Sequence, residues 1–216
     1  MKYSGKISNF VFFGSTFIIV FYAFIKLSLA VVSSGLITIL DSYLVNLFYF
    51  YREEWLAVFF SLVTFLGSSS LVIVVAIALI YFFFVKRKFA YILSFVITFF
   101  GAEFSVYVLK EVVGRLRPPV DMAFLVENSF SFPSGHATIA VALYGFIIYI
   151  LFRESGGRSR RMAILFIGVL LIFLIGLSRL YLGVHFLSDV VGGFLLGLLW
   201  LIIGIVVSKI IMLQLK

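Results

Sequence analysis

Apolar runs of membrane-spanning length follow one another along this chain with only short polar breaks. They lie at about 10–32, 55–85, 89–113, 133–152, 162–177 and 185–208. A helix rises about 1.5 Å per residue and a bilayer core is about 30 Å thick, so roughly 20 apolar residues cross it. Of the 216 residues, 64% are hydrophobic and 12% charged, and a soluble domain of this size has too little interior for that much apolar surface. The expected fold is an all-α integral membrane protein with six transmembrane helices in a single domain, 1–216, without repeat or low-complexity tract. The chain contains no cysteine, which excludes disulfides and thiolate metal sites.

Several runs carry internal signals. The first, Phe10 to Val32, competes with a cleaved signal peptide because Ser28 and Ala30 form a weak small-x-small pattern. Lys26 just before that pattern, and the continued apolar run after it, favour a retained span with the Lys26 amine snorkelling outward. From Gly35 to Tyr51, the apolar residues Ile37, Leu40, Leu44, Leu47 and Tyr51 recur at helical spacing, with Thr38, Asp41, Ser42 and Asn46 off that stripe. That pattern predicts a helix lying on the membrane surface. The run from Trp55 to Val85 would extend about 46 Å as one helix. It must therefore tilt, project, or break near Gly67-Ser68-Ser69-Ser70. The run from Phe89 to Val113 carries Glu103 and, two turns later on the same side, Lys110. Charges at that depth face the protein interior, so this helix is expected to line a site, with Glu103 either placing Lys110 through a third group or pairing within the bundle.

The basic residues sort by side. Lys2, Lys6, Lys86, Arg87, Lys88, Arg153, Arg158, Arg160, Arg161, Lys209 and Lys216 fall on one side, eleven of the seventeen. Arg52, Lys110, Arg115, Arg117 and Arg179 fall on the other, and Lys26 lies within the first span. The positive-inside rule then places a multi-pass protein in the cell membrane with both termini cytoplasmic. The net charge of +8 is explained by these topology signals, and no nucleic-acid partner is expected.

The residues with chemical potential gather on the less basic, outer side. Phe130-Ser-Phe-Pro-Ser-Gly-His136 marks the entry to the fourth span. Pro133 suits a first helical turn, Ser131 or Ser134 can cap it, and free N–H groups at such a helix start attract an anion. Gly135 permits close approach, and His136 can exchange a proton. His185 and Asp189 lie four positions apart at the start of the sixth span, hence on one helix face, where the carboxylate can fix the imidazole tautomer. Lys110, Arg117 and Arg179 converge on the same rim and would repel one another without an anion bearing several oxygens, for which phosphate is the natural candidate. Arg115 reads as a solvated loop charge in preference to a head-group contact. Gly193-x-x-x-Gly197 is a weak signal for close helix packing or a homodimer.

Three segments carry a specific resemblance: Lys110-x6-Arg117-Pro118, Pro133-Ser134-Gly135-His136, and Ser178-Arg179-x5-His185-x3-Asp189. In order and spacing they resemble the three-part signature of the type 2 phosphatidic acid phosphatase (PAP2) superfamily. The resemblance spans Lys110 to Asp189 and says least about the first hundred residues. It implies a phosphatase that needs no metal or other cofactor and works through a phosphohistidine. His185 would be the nucleophile, Asp189 its orienting carboxylate and His136 the donor of a proton to the leaving oxygen. Lys110, Arg117 and Arg179, with Ser134 and the Gly135 backbone, would bind the phosphoryl oxygens.

The expected substrate is a membrane lipid phosphate or pyrophosphate reached from the outer face: phosphatidylglycerol phosphate, phosphatidate, a polyprenyl pyrophosphate or a phosphorylated lipid A. A phosphotransferase with a lipid acceptor is the nearest rival. A non-catalytic scaffold or transporter fits less well, because loss of catalysis would have let one of the motif positions drift. Haloperoxidases that share this site geometry are soluble.

Overall fold

The computed structural model describes residues 2–33 and 35–214, with side chains from Phe10 onward. The side chains of Lys2 and Lys6, and the whole of Lys216, lie outside what it describes, so their part in the charge asymmetry rests on sequence alone. The described chain is helical, with eight principal helices: α1 (Lys2–Val32), α2 (Leu36–Phe50), α3 (Glu54–Phe65), α4 (Ser69–Val85), α5 (Phe89–Val113), α6 (Gly135–Glu154), α7 (Arg158–Tyr181) and α8 (Leu187–Gln214). Six stretches are long and apolar enough to cross a membrane: Phe10–Val32, Glu54–Val85, Phe89–Val113, Gly135–Glu154, Arg158–Tyr181 and Leu187–Gln214.

The long second stretch resolves by breaking. Helix α3 ends at Phe65, Ser68 caps α4 by accepting from the Leu71 N–H at 3.5 Å, and the Tyr144 hydroxyl donates to the freed Leu66 carbonyl at 2.6 Å. Backbone groups released at membrane depth must be satisfied within the protein, and these bonds do so. The break carries Gly67 and Ser69 into the wall of the cavity that holds the two histidines.

Helix α8 is central and packs against α1, α5 and α6. Its glycines allow close approach to α6. A Cβ at Gly193 would lie 2.6 Å from the Ser134 carbonyl oxygen, and one at Gly197 would lie 2.4 Å from that of Thr138. The Gly193-x-x-x-Gly197 face is therefore consumed inside the chain and gives no argument for a dimer. One buried cluster joins α4, α5, α6 and α8 around Phe95, Leu143 and Phe146, and another joins α1, α5 and α8 around Phe24 and Phe132. Outward-facing residues such as Ile18, Phe104 and Phe166 are exposed, as expected for surface that meets lipid.

Helix α2 carries its acid on the side away from the apolar stripe. Of the apolar stripe, Leu40, Leu47 and Tyr51 are exposed and Ile37 and Leu44 half-buried, while Asp41 and Val45 are buried against the bundle. A single carboxylate in an apolar helix seeks a partner inside the protein, which places Asp41 against the bundle.

Candidate active site

The site lies at one end of the bundle, built from the last turn of α5, the loop 114–134, the first turn of α6, the end of α7 and the start of α8. Lys110 and Glu103 line one cavity, as their spacing on α5 predicts. The cavity measures about 340 Å³ and is also lined by Val72, Val106, Gly135, His136 and His185. Among the described residues, Glu103 makes no ion pair.

Helix boundaries differ from the sequence reading in ways that matter here. Helix α7 runs on to Tyr181, so Ser178 and Arg179 occupy its last turn and not a connection. Helix α8 begins at Leu187, so His185 stands in the turn before it and does not share a helix face with Asp189. The turn closes at Gly183, whose φ of +71° lies in the left-handed region and whose Cβ would sit 2.6 Å from the Met122 carbonyl oxygen. Arg52 secures it by donating to the carbonyls of Tyr181 at 3.0 Å and Met122 at 2.8 Å. Helix α6 starts at Gly135, with Ser134 rather than Pro133 at its boundary. The Ser134 hydroxyl accepts from the Ala137 N–H at 3.5 Å, while Ser131 donates instead to Asp189 Oδ2.

His185 is 1% exposed and makes two contacts that fix its tautomer. Arg117 Nη1 lies 3.2 Å from Nε2, and a guanidinium can only donate, so Nε2 carries a lone pair. The proton is on Nδ1, which faces Asp189 Oδ2 at 3.4 Å. That contact is long because Oδ2 is shared with the Ser131 hydroxyl and the Phe186 N–H, the latter at 2.8 Å. Burial holds the His185 imidazole well below its ordinary value, at about 4, with Asp189 pulling the other way and Arg179 and Arg117 adding to the depression. Near neutral pH the ring is therefore uncharged, and its Nε2 carries a lone pair that can act as a nucleophile once the Arg117 contact shifts to an incoming anion.

The three cations converge, and the anion among them belongs to the chain. Glu127 Oε2 pairs with Arg117 Nη2 at 2.7 Å, and Oε1 pairs with Arg179 Nη2. Burial alone would raise the Glu127 carboxyl, but Arg179 and Arg117 outweigh it and hold the group down at about 2. Arg179 is 1% exposed, donates to the Thr64 hydroxyl at 2.7 Å, and among the described residues its Nε has no partner. Lys110 Nζ donates to the Ser129 hydroxyl at 2.9 Å and to the Phe130 carbonyl.

Arg115 is not a solvated charge. Its side chain is 12% exposed and bridges Asp189 Oδ1 at 2.6 Å and Asp41 Oδ2 at 2.7 Å, with its guanidinium carbon 4.2 Å from the Phe186 ring centroid. Sequence reasoning gave no role to Glu127 and left Asp41 without a partner. The available signals were an acid in a loop crowded with cations and a lone carboxylate in an apolar helix. Among the described residues, no three His, Asp or Glu side chains form a metal-ligand group.

Six apolar spans and a histidine–aspartate pair faced by buried guanidiniums suit an enzyme that handles a phosphorylated substrate at a membrane. The family model for the PAP2 superfamily matches residues 89–212, and the chain belongs to that superfamily. Phosphatidylglycerophosphatase B of Bacillus subtilis is 40% identical over 151 residues, 68% of this chain and 73% of that protein. The crystal structure described as the first transmembrane PAP2 type phosphatidylglycerolphosphate phosphatase, also from Bacillus subtilis, superposes with a TM-score of 0.76 at 32% identity. That match covers 93% of this chain and 97% of the other. The crystal structure of Aquifex aeolicus LpxE gives a TM-score of 0.57 at 30% identity, covering 79% and 95%.

Proposed function

We propose that this lipid phosphatase removes the terminal phosphate from a lipid phosphomonoester of the phosphatidylglycerol phosphate type, through a phosphohistidine on His185. The observation that carries the reading is the tautomer of His185: Nδ1–H toward Asp189, and the Nε2 lone pair beside Arg117. The substrate class is supported by the similarity to the Bacillus subtilis proteins, whose names specify that lipid.

The chemistry follows from the placement of groups. An incoming phosphoryl group takes over Arg117, Arg179 and Lys110, with Ser134 and the Gly135 backbone at the start of α6 completing the cradle, and Glu127 gives way. The Nε2 lone pair attacks phosphorus as the P–O bond to the lipid breaks, and His136 gives its proton to the departing alkoxide. Asp189 stabilises the charge that develops on His185. His136 then takes a proton from water, whose oxygen attacks phosphorus. The P–N bond breaks, its electron pair returns to Nε2, and inorganic phosphate leaves. Fixed cations supply the charge stabilisation that phosphoryl transfer requires.

The site opens at the outer face, with the basic turns at the other end of the bundle in the cytoplasm. The test is phosphate release by purified protein in detergent with EDTA, from phosphatidylglycerol phosphate, phosphatidate, undecaprenyl pyrophosphate and a lipid A phosphate. Phosphatidylglycerol phosphate is expected to give the highest kcat/KM. A higher value for the pyrophosphate overturns the substrate assignment, and loss of activity with EDTA that Mg²⁺ restores overturns the proposed cradle.

A further inference from the structure

Asp41 and Arg115 are not among the matched motif residues, yet they hold the carboxylate that accepts from His185 Nδ1. Asp189 Oδ1 accepts from Arg115 Nη1 at 2.6 Å, and the same nitrogen donates to the Ser188 hydroxyl at 2.6 Å. Arg115 Nη2 donates to Asp41 Oδ2 at 2.7 Å. Asp41 also accepts from Ser188, through the N–H at 3.0 Å on Oδ1 and through the hydroxyl at 2.5 Å on Oδ2. Both carboxylates are fully buried, and Phe186 covers the guanidinium.

We infer that Asp41 of α2 is a positioning residue for the catalytic pair, acting through Arg115 to set both the orientation and the effective charge of Asp189. This rests on the reading of His185 as nucleophile. A buried carboxylate paired with a guanidinium alone is electrically neutralised and offers little to an imidazole gaining charge. Asp41 takes up that guanidinium's charge, so the cluster of Asp41, Arg115 and Asp189 presents a single negative charge to His185. It also anchors the first turn of α8 through Ser188, which keeps Oδ2 of Asp189 directed at Nδ1. Helix α2, in the region where the sequence motifs are silent, thereby becomes part of the reaction machinery without touching substrate.

The other charged groups facing His185 or lining its cavity are Arg117 and Glu127 from the loop, Arg179 from α7, Glu103 and Lys110 from α5 and His136 from α6. None of these is changed by a substitution at Asp41. Asp41→Asn removes one negative charge from the cluster, which disfavours the imidazolium. The acid limb of kcat/KM, set by protonation of His185 in the free enzyme, moves to lower pH by about half a unit or more. The kcat falls about tenfold while KM stays within about twofold, because phosphate contacts are untouched. Removing the Arg115 charge as well, in Asp41→Asn with Arg115→Gln, restores the net charge and returns the limb toward that of the unaltered protein.

The experiment is the pH profile of lipid phosphomonoester hydrolysis in membrane vesicles for the unaltered chain, Asp41→Asn, the double variant and His185→Ala. The position of the limb does not depend on how much protein is folded, so instability of a variant does not mask the shift. A limb shifted down in Asp41→Asn and restored in the double variant supports the inference. An unmoved limb in Asp41→Asn overturns it and leaves Asp41 a structural residue. Activity retained in His185→Ala overturns the reading of the nucleophile instead, so the two failures are told apart.

Discussion

The two ends of the bundle are both rich in charge and use it in opposite ways. At the site, Asp41, Asp189, Arg179 and His185 are at most 1% exposed, and their partners come from distant parts of the chain: Asp41 meets Ser188 across 147 positions, and Arg179 meets Glu127 across 52. At the other end, Lys88 meets Glu154 at 2.7 Å with side chains 37% and 53% exposed. Buried charges survive only when each is paired, so the pairing pattern records what the site does. Exposed charges are screened and hydrated, and their sign matters more than their partners. The first end carries the proposed chemistry, and the other carries the charges on which the proposed orientation rests.

The largest effect expected of this contrast is at Arg179. Arg179→Ala removes a phosphoryl contact and leaves Glu127 facing Arg117 alone, and kcat/KM on a lipid phosphomonoester is expected to drop by about 10²–10³. A drop of tenfold or less would place Arg179 outside the cradle. An intermediate effect is expected at Glu127, whose carboxylate pairs with two cations of the proposed cradle. Glu127→Gln leaves two guanidiniums facing each other without a counter-charge, so inhibition by inorganic phosphate is expected to strengthen about three- to tenfold. Weaker inhibition would mean that Glu127 organises the arginines rather than competing for them. The smallest effect is expected at the far end, where Lys88→Ala should leave kcat/KM within about twofold. A larger loss would dissolve the contrast between the ends.

What the sequence disclosed follows the same division. Spans were legible because apolar runs of fixed length have one physical solution in a bilayer, and the third expected span coincides with α5 at Phe89–Val113. The gathering of Lys110, His136 and His185 around one cavity was legible from motif order and from the side on which each span ends. The counter-charges were not. Glu127 pairs across a loop of irregular backbone, and no periodicity places its carboxylate between Arg117 and Arg179. Arg115 looked solvated because its acceptors lie on α2 and α8, far away in sequence. For α2, the stripe and its polar flank do not show that Asp41 is buried, because its partners Arg115 and Ser188 come from distant parts of the chain. Helix ends were legible only to within about one turn, since caps and turns, not hydrophobicity, decide where a helix stops. For that reason the apolar run alone puts His185 on α8, whereas it stands in the turn that Gly183 closes.

The central claim is that His185 Nε2 bonds to phosphorus while His136 moves protons, and the pre-steady state tests it directly. p-Nitrophenolate leaves without a proton, so in His136→Ala the first step with p-nitrophenyl phosphate remains fast, while attack by water lacks its base. The account predicts a burst of one nitrophenolate per site followed by slow turnover, with an acid-labile, alkali-stable phosphoryl group on His185. A linear time course with no phosphorylated enzyme, or an equal burst from His185→Ala, would contradict it.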